Sequence, residues 1–407
     1  INTTSGEITV TLPSSPSAGD IVAFKDYAGT WDTNSVTVGR NGSKINGECS
    51  DSLLSTEAQS VTLIYVDGTK GWQDIHDSTA NVSGTTFMAA SGGNATITCG
   101  NFKTHIFTGS GTFTVSAVSN IAANNAVDYL VVGGGAQGGN GADSNGYAGA
   151  GGGAGGFRIF STAPGSNSPL VGPASSLTLT ATAFPVTVGA GGTGPCGPGG
   201  SVSTISTITS AGGGAGGVTN NPTPSEPPAS RVNGVAGGSG GGGSSAAPPI
   251  GDGTGGAGNT PPVSPSQGNA GGNGTTTGST GGGGGGGAGA AGAAAAASDG
   301  GDGGIGSYIA DPFIGPTAPS YGTPGPVSNV RYFSGGGGGA SGYYPANTGT
   351  GFGTGGSGGG TAGVTTGNAT NATANTGGGA GGGSGANGPP TYANGGSGIV
   401  MIRYRFQ

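Results

Sequence analysis

Short stretches of alternating apolar and polar residues open the chain, and each predicts a β-strand. EITVTLP (Glu7–Pro13), IVAFKDY (Ile21–Tyr27), SVTVGR (Ser35–Arg40) and SVTLIYV (Ser60–Val66) are rich in β-branched side chains. Turn chemistry separates them, and Asn41-Gly42 and Asp67-Gly68 are the strongest hairpin signals. Trp31 and Trp72, the only tryptophans, sit near strand ends, where they cap a small sandwich core or stack on a sugar from outside. Asp77 to Gly93 is polar and small, as in a linker. Alternation resumes in NATITCG (Asn94–Gly100), THIFTGSGTFTV (Thr104–Val115, its GSG read as a hairpin turn) and AVDYLVV (Ala126–Val132). It continues in FRIF (Phe157–Phe160), Leu177–Gly192, Ser201–Thr209 and the terminal GIVMIRYRF (Gly398–Phe406). The expected fold is mainly β with few or no α-helices. A small antiparallel domain covers 1–78, a linker 79–93, and a β-sandwich part continuous with a glycine-rich region covers 94–407. Pairing of the last strand with an early one would bring the two ends of the glycine region together.

Between Gly133 and Gly398 neither a strand nor a helix period survives, because glycine runs alternate with segments rich in Pro, Thr, Asn and Tyr. The chain holds 102 Gly and 25 Pro among 407 residues, and only 32% of it is apolar. Glycine loses more backbone entropy on folding than any other residue, so such runs are ordinarily linkers. Order would require backbone hydrogen bonds in place of side-chain burial. The polyproline II geometry allows that, with three residues per turn, a rise of about 3.1 Å per residue and every N–H and C=O directed outward to a neighbour. Collagen is excluded, since AGGGAGG (Ala211–Gly217) and Gly281–Ala297 keep no Gly-X-Y phase. The strands that bracket the runs, and the recurrence of runs of similar length, favour an ordered bundle of polyglycine II helices over a linker.

Composition narrows the chemistry. The net charge is −7 with ten basic residues, five of them before position 110, so no basic stripe exists for phosphates and nucleic acid is not expected as a partner. An uncharged glycine half suits neutral or polar ligands. Cys49, Cys99 and Cys196 are too few for a disulfide scaffold and form no CxxC; buried small residues are the expected role. No apolar run is long enough for a transmembrane helix, so no membrane insertion is expected. The start at Ile1, in strand-like sequence, reads as the downstream piece of a longer or processed polypeptide. His76 and His105 stand in no catalytic context, and the many GxGxxG matches follow from composition. SDGGDGGIG (Ser298–Gly306) has calcium-turn composition but does not repeat. No enzyme activity, cofactor or metal is expected.

YLVVGGGAQGG, GAGGFRIF, FPVTVGAGG and the terminal GGSGIVMIRYRF resemble the glycine-rich domain of bacteriophage tail-fibre and adhesin proteins. The N-terminal IVAFKDYAGTW, VTVGRNGSKING and VTLIYVDGTKGW resemble the small β modules of distal phage fibres. The resemblance implies a polyglycine II sandwich whose variable loops bind a bacterial surface glycan or outer-membrane protein. It also implies a place at the distal tip of a virion fibre, other fibre subunits as partners, and a homotrimer. The substantial β part before and within the glycine region departs from that pattern.

Helices running up and down a bundle send successive loops to opposite ends. With the strands as the base, Asn140–Ala148 with Tyr147, Ser341–Thr350 with Tyr343 and Tyr344, and Asn387–Asn394 with Tyr392 fall at the far end. Val364–Thr376 falls at the base by the same count, as does the insert Ala297–Ser334. The threading upstream turns on whether TTTGST (Thr275–Thr280) is a reversal. Candidate receptor-binding residues are Tyr343, Tyr344, Tyr392 and Tyr147, with Tyr308, Phe313 and Tyr321 of the insert; the alternative is service as satellite core, favoured for the insert's aromatics and not for Tyr343, Tyr344 and Tyr392. The expected function is host recognition by a virion adhesin. Two alternatives remain: a purely structural fibre or decoration protein, and an ice-binding polyglycine II protein.

Overall fold

The computed structural model describes residues 1–77, 85–141, 147–165, 168–171, 176–194, 197–219, 230–246, 251–276, 280–296, 299–315, 320–342, 351–367, 369–384 and 392–407. The fold is mainly β, with one four-residue α-helix (Asp311–Ile314) and one short 3-10 helix (Ala122–Asn125) among these residues. Two compact units appear, Ile1–Met88 with Ala117–Asn125 and Gln407, and Ala89–Ser116 with Ala126–Phe406.

In the first unit two three-stranded sheets enclose one core. One orders Ile8–Thr11, Val36–Gly39 and Ser52–Leu54; the other orders Ile21–Lys25, Ser60–Asp67 and Gly71–Asp77. Both tryptophans are fully buried among Leu12, Phe24, Val36, Leu54 and Leu63, which is the core reading of Trp31 and Trp72 and not the sugar-stacking one. Asp67-Gly68 makes the expected hairpin, whereas Asn41-Gly42 is a turn whose Asn41 side chain donates to the Leu12 carbonyl (2.9 Å). Strands Ser52–Leu54 and Gly71–Asp77 lay outside the expected set, the first because three residues carry no period.

The second unit begins with two antiparallel sheets. One orders Phe157–Phe160, Ala126–Val132, Ile399–Arg405, Phe102–Phe107 and Ala95–Cys99, so the last strand lies between two early ones, as expected. The other orders Ile208–Ser210, Ser203–Ile205, Ala183–Thr187, Gly111–Ala117 and Ala89–Ser91. Residues 109–111 are therefore not a hairpin turn. Phe102–Phe107 and Gly111–Ala117 belong to different sheets, and the hairpin is Ala95–Cys99 with Phe102–Phe107. Leu177–Gly192 likewise divides between Leu177–Thr178 on the first sheet and Ala183–Thr187 on the second. Cys49 is exposed and Cys99 half-buried, both as free thiols, so neither fills the buried role expected of it; Cys196 lies outside the described residues.

From these strands the glycine runs extend. Run 148–156 sits at the centre. The N–H groups of Gly149, Gly152 and Gly155 donate to Gly383, Ala380 and Gly377, and those of Ala150, Gly153 and Gly156 to Gly217, Gly214 and Ala211, all between 2.8 and 3.2 Å. Gly151 and Ala154 donate to Gly283 and Gly286, each at 3.0 Å. The carbonyls rotate through three further runs: Gly149 and Gly152 accept from Ala340 and Gly337, Ala150 and Gly153 from Gly139 and Ala136, Gly151 and Ala154 from Gly242 and Ser239. A strict period of three with six neighbours is the signature of polyglycine II helices in hexagonal array.

The six neighbours, runs 133–141, 211–219, 238–246, 280–288, 334–342 and 376–384, are themselves joined in a closed ring by backbone hydrogen bonds. An outer shell of shorter runs surrounds them, and there the sequence changes. Exposed residues three apart, such as Thr254 and Ala257, Ala270 and Asn273, or Ala291 and Ala294, mark the outward face of each run. Neighbouring outer runs are also joined through side chains. Asn233 accepts from the Thr254 N–H (2.9 Å), Asn273 from Gly255 (2.9 Å), Asp302 from Thr354 (2.7 Å) and Asn371 from Asn394 (2.8 Å). The lattice is thus closed on its flanks, as an edge strand is closed by polar and charged side chains.

Candidate functional site

Run direction fixes which connections meet. Run 133–141 leaves the strand Ala126–Val132, and run 148–156 enters Phe157–Phe160, antiparallel to it. Runs 133–141, 211–219, 334–342 and 376–384 point away from the strands, whereas 148–156, 280–288, 299–306 and 392–398 return. Thr275 and Gly281 exchange backbone hydrogen bonds in both directions (2.9 Å each), so the chain does reverse there. The described run ends that flank 142–146, 220–229, 247–250, 277–279, 297–298, 343–350 and 385–391 therefore lie on the side away from the strands; those segments themselves lie outside the described residues.

A layer of hydroxyl and amide side chains finishes the runs on this far side, where the glycine lattice stops. Asn140, Thr219, Ser244, Ser245, Thr280, Ser341 and Ser384 are all buried. Thr219 Oγ1 donates to the Ser245 carbonyl (2.6 Å), Ser245 Oγ accepts from the Ala148 N–H (2.9 Å), and the Thr219 N–H donates to the Asn140 carbonyl (2.9 Å). Gly342 N–H donates to Thr280 (2.7 Å), and Ser384 N–H to Gly367 (3.2 Å). Small polar side chains can satisfy backbone groups that lose their lattice partners, so the layer is a hydrogen-bonded floor that ends the lattice on this side.

The candidate tyrosines divide between the two ends. Tyr147 is buried next to Ala148, which bridges to Ser384 on the far side; Tyr392 is half-buried at the head of the returning run 392–398. Tyr343 and Tyr344 lie outside the described residues, directly after Gly342 of the far side. Tyr308, Phe313 and Tyr321 stand at the strand end. Phe313 is fully buried with Ile106, Leu130, Phe157, Phe333 and Met401, and Tyr321 rests against that cluster. Tyr308 faces Tyr332 across a two-stranded ribbon, ring centroids 5.1 Å apart. The insert serves the core, because the runs on both sides of it bring it down onto the sheets.

One expected placement is corrected. Val364 and Gly367 stand on the far side, since the Val364 carbonyl accepts from Ser341 and Gly367 from Ser384 (3.1 and 3.2 Å). Residues 351–363 are two runs, joined by a reversal at Ser357–Gly359 in which Gly358 and Gly359 have φ of 111° and 90°. A further descending piece, 369–375, follows, so the two unforeseen reversals cancel and the tyrosine-bearing connections keep their side.

Charge is unevenly spread. Lys103, Arg158, Arg331, Arg403 and Arg405 lie on strands at the strand end, Arg231 lies on the strand paired with Val218–Thr219, and Asp252 and Asp299 stand at far-side run ends. At the strand end, Arg403 and Asp128 form a buried ion pair (2.5 Å), with Thr162 Oγ1 donating to Asp128 (3.0 Å). Burial raises the Asp128 carboxyl above its ordinary range, and Thr162 and Arg403 offset only part of that. His105 Nδ1–H donates to the Gly92 carbonyl (2.6 Å), and burial lowers its affinity for a proton. The Asp128, Arg403 and His105 side chains are all buried on the strands of one sheet. Among the described residues no three His, Cys, Asp or Glu gather as a metal set, and no helix is long and apolar enough to cross a membrane.

A family model described as a glycine-rich domain matches residues 107–405. No curated protein matches the chain.

Proposed function

The chain belongs to the glycine-rich domain family, and from its far-side geometry we propose that it is a virion tail-fibre or adhesin subunit that recognises a bacterial surface receptor. The observation that carries the reading is the common far side. Run after run ends there on a floor of buried Ser, Thr and Asn, and the chain between run ends departs from glycine into Tyr- and Pro-bearing segments such as YYPANTGT (343–350) and GANGPPT (385–391). A scaffold held by backbone hydrogen bonds between the described runs tolerates sequence change in the segments that link them. On this reading the protein works at the distal part of the fibre, without catalysis. A trimeric assembly would amplify weak single contacts by avidity.

Fluorescently labelled, purified protein incubated with a panel of bacterial isolates tests this. Selective labelling of some isolates, lost when 343–350 and 385–391 are both replaced by short glycine–serine links, is the expected result. Labelling of none, or labelling that survives the replacement, would favour a structural fibre or decoration protein, and ice recrystallisation inhibition would favour the ice-binding alternative.

A further inference from the structure

We infer that the ligand of the far side is a neutral, polyhydroxylated glycan, read by Asn140, Ser384, Tyr147 and Tyr392; the inference rests on the adhesin reading above. Asn140 Nδ2 and Ser384 Oγ belong to residues only 1% and 2% exposed, yet neither atom has a hydrogen-bond partner among the described residues. Other buried polar atoms of the lattice, those of Gln137, Ser210, Ser239 and Ser334, also lack a partner among the described residues, but Asn140 and Ser384 are the two that stand in the far-side floor, where a ligand hydroxyl can supply one. The two are neighbours: Asn140 bridges to Gly383, and Ser384 to Ala148, the residue after Tyr147. Run 392–398, headed by half-buried Tyr392, borders the same corner through the Gly138 N–H, which donates to Ala393 (3.1 Å).

Charge decides the class of ligand. All six of the second unit's cations lie on strands, and the one nearest the far side, Arg231 on the strand paired with Val218–Thr219, donates from its guanidinium to the Gly197 and Gly216 carbonyls (3.3 Å each). Among the described residues the far side has Asp252 and Asp299 at its edges. Among the described residues a phosphorylated or uronate-bearing polymer would meet those carboxylates and one cation, Arg231, whose guanidinium is already held on backbone carbonyls, which disfavours it. Sugar hydroxyls suit the site better. They can accept from Asn140, exchange hydrogen bonds with Ser384 and donate to carboxylates, while tyrosine rings cover apolar C–H faces.

The test uses isolates that the labelled protein stains. Periodate oxidation of the cell surface should reduce staining by about tenfold or more, and protease digestion should leave it nearly unchanged, as expected where a few contacts dominate binding. Affinity should change by less than about threefold between about 50 and about 500 mM salt, because no ion pairs are screened. Tyr392→Ala should weaken binding about tenfold, and Asn140→Asp should weaken it too by replacing a donor with an acceptor. Should Asn140→Asp fail to fold, Tyr392→Ala still decides. Protease-sensitive, periodate-resistant staining would overturn the glycan and leave the adhesin standing with a protein receptor. Steep loss of affinity with salt would overturn it as well, as would full binding by Tyr392→Ala. Absence of staining on any isolate is the separate failure of the adhesin reading itself.

Discussion

Gly151 and Gly337 lie so close that a β-carbon built on Gly151 would stand 2.0 Å from the Gly337 carbonyl oxygen. The same collision recurs at Gly152 against Ala136 (2.4 Å) and at Gly285 against Gly152 (2.0 Å), so glycine here is a requirement of backbone approach. Gly151→Ala should therefore cost roughly 3 kcal/mol or more, since the obstructing atoms are backbone and cannot rotate away. Gly109→Ala, where a β-carbon meets nothing within 4 Å, should be close to neutral. Chemical denaturation of the two variants checks the contrast.

The ion pair of Asp128 and Arg403 should behave as a buried pair. Arg403→Met leaves an uncompensated carboxylate against Thr162 and should cost about 3–5 kcal/mol. Adding Asp128→Leu removes the stranded charge, so the double variant should be more stable than Arg403→Met alone. Equal or lower stability of the double variant in a thermal melt would count against the pairing.

Acid should loosen the second unit through His105. Burial lowers its folded pKa, opposed in part by the hydrogen bond to Gly92 and aided by Lys103. The unfolded chain then binds the proton more readily. Stability is fully present above the ordinary histidine value of about 6.5 and falls as pH drops below it, by at most about 1.4 kcal/mol per pH unit. His105→Gln should flatten the profile between about pH 6.5 and 4.5, where carboxylates still contribute little.

In the first unit Asp26 gathers four backbone N–H groups, those of Ala28 (3.3 Å), Gly29 (3.0 Å), Trp31 (3.3 Å) and Ala58 (3.0 Å). Burial raises its pKa, but these donors outweigh that and lower it overall. Asp26→Asn should cost about 1–3 kcal/mol. The parent should lose the same contribution as pH falls below about 3.8 through the depressed folded value. Urea titrations of both proteins at neutral and acid pH check it.

Much of this arrangement was legible in the sequence. Strand alternation located the sheets, and the brackets of strand around glycine placed the last strand beside an early one. Parity put Tyr147 and Tyr392 on one side. What escaped was whatever carries no side-chain signal. The reversal at Ser357–Gly359 occurs inside unbroken small-residue sequence, where a turn needs no special residue because glycine already permits it. The division of inner from outer runs was readable in principle: exposed runs repeat a side chain every third residue (Ala270 and Asn273, Ala291 and Ala294), and enclosed runs such as Gly281–Gly287 do not. Asn140 and Ser384 gave no signal at all, since only the lattice shows that they are buried and unpaired.

Amide hydrogen exchange across the glycine runs tests the lattice most directly. With each N–H of run 148–156 bonded to a neighbouring run, Gly149–Gly156 and Gly282–Ala288 should exchange slowly and as one cooperative unit, together with the strand Ile399–Arg405. Exchange in these runs at the rate of an unprotected chain would contradict the bundle, and with it the floor on which the recognition segments are proposed to stand.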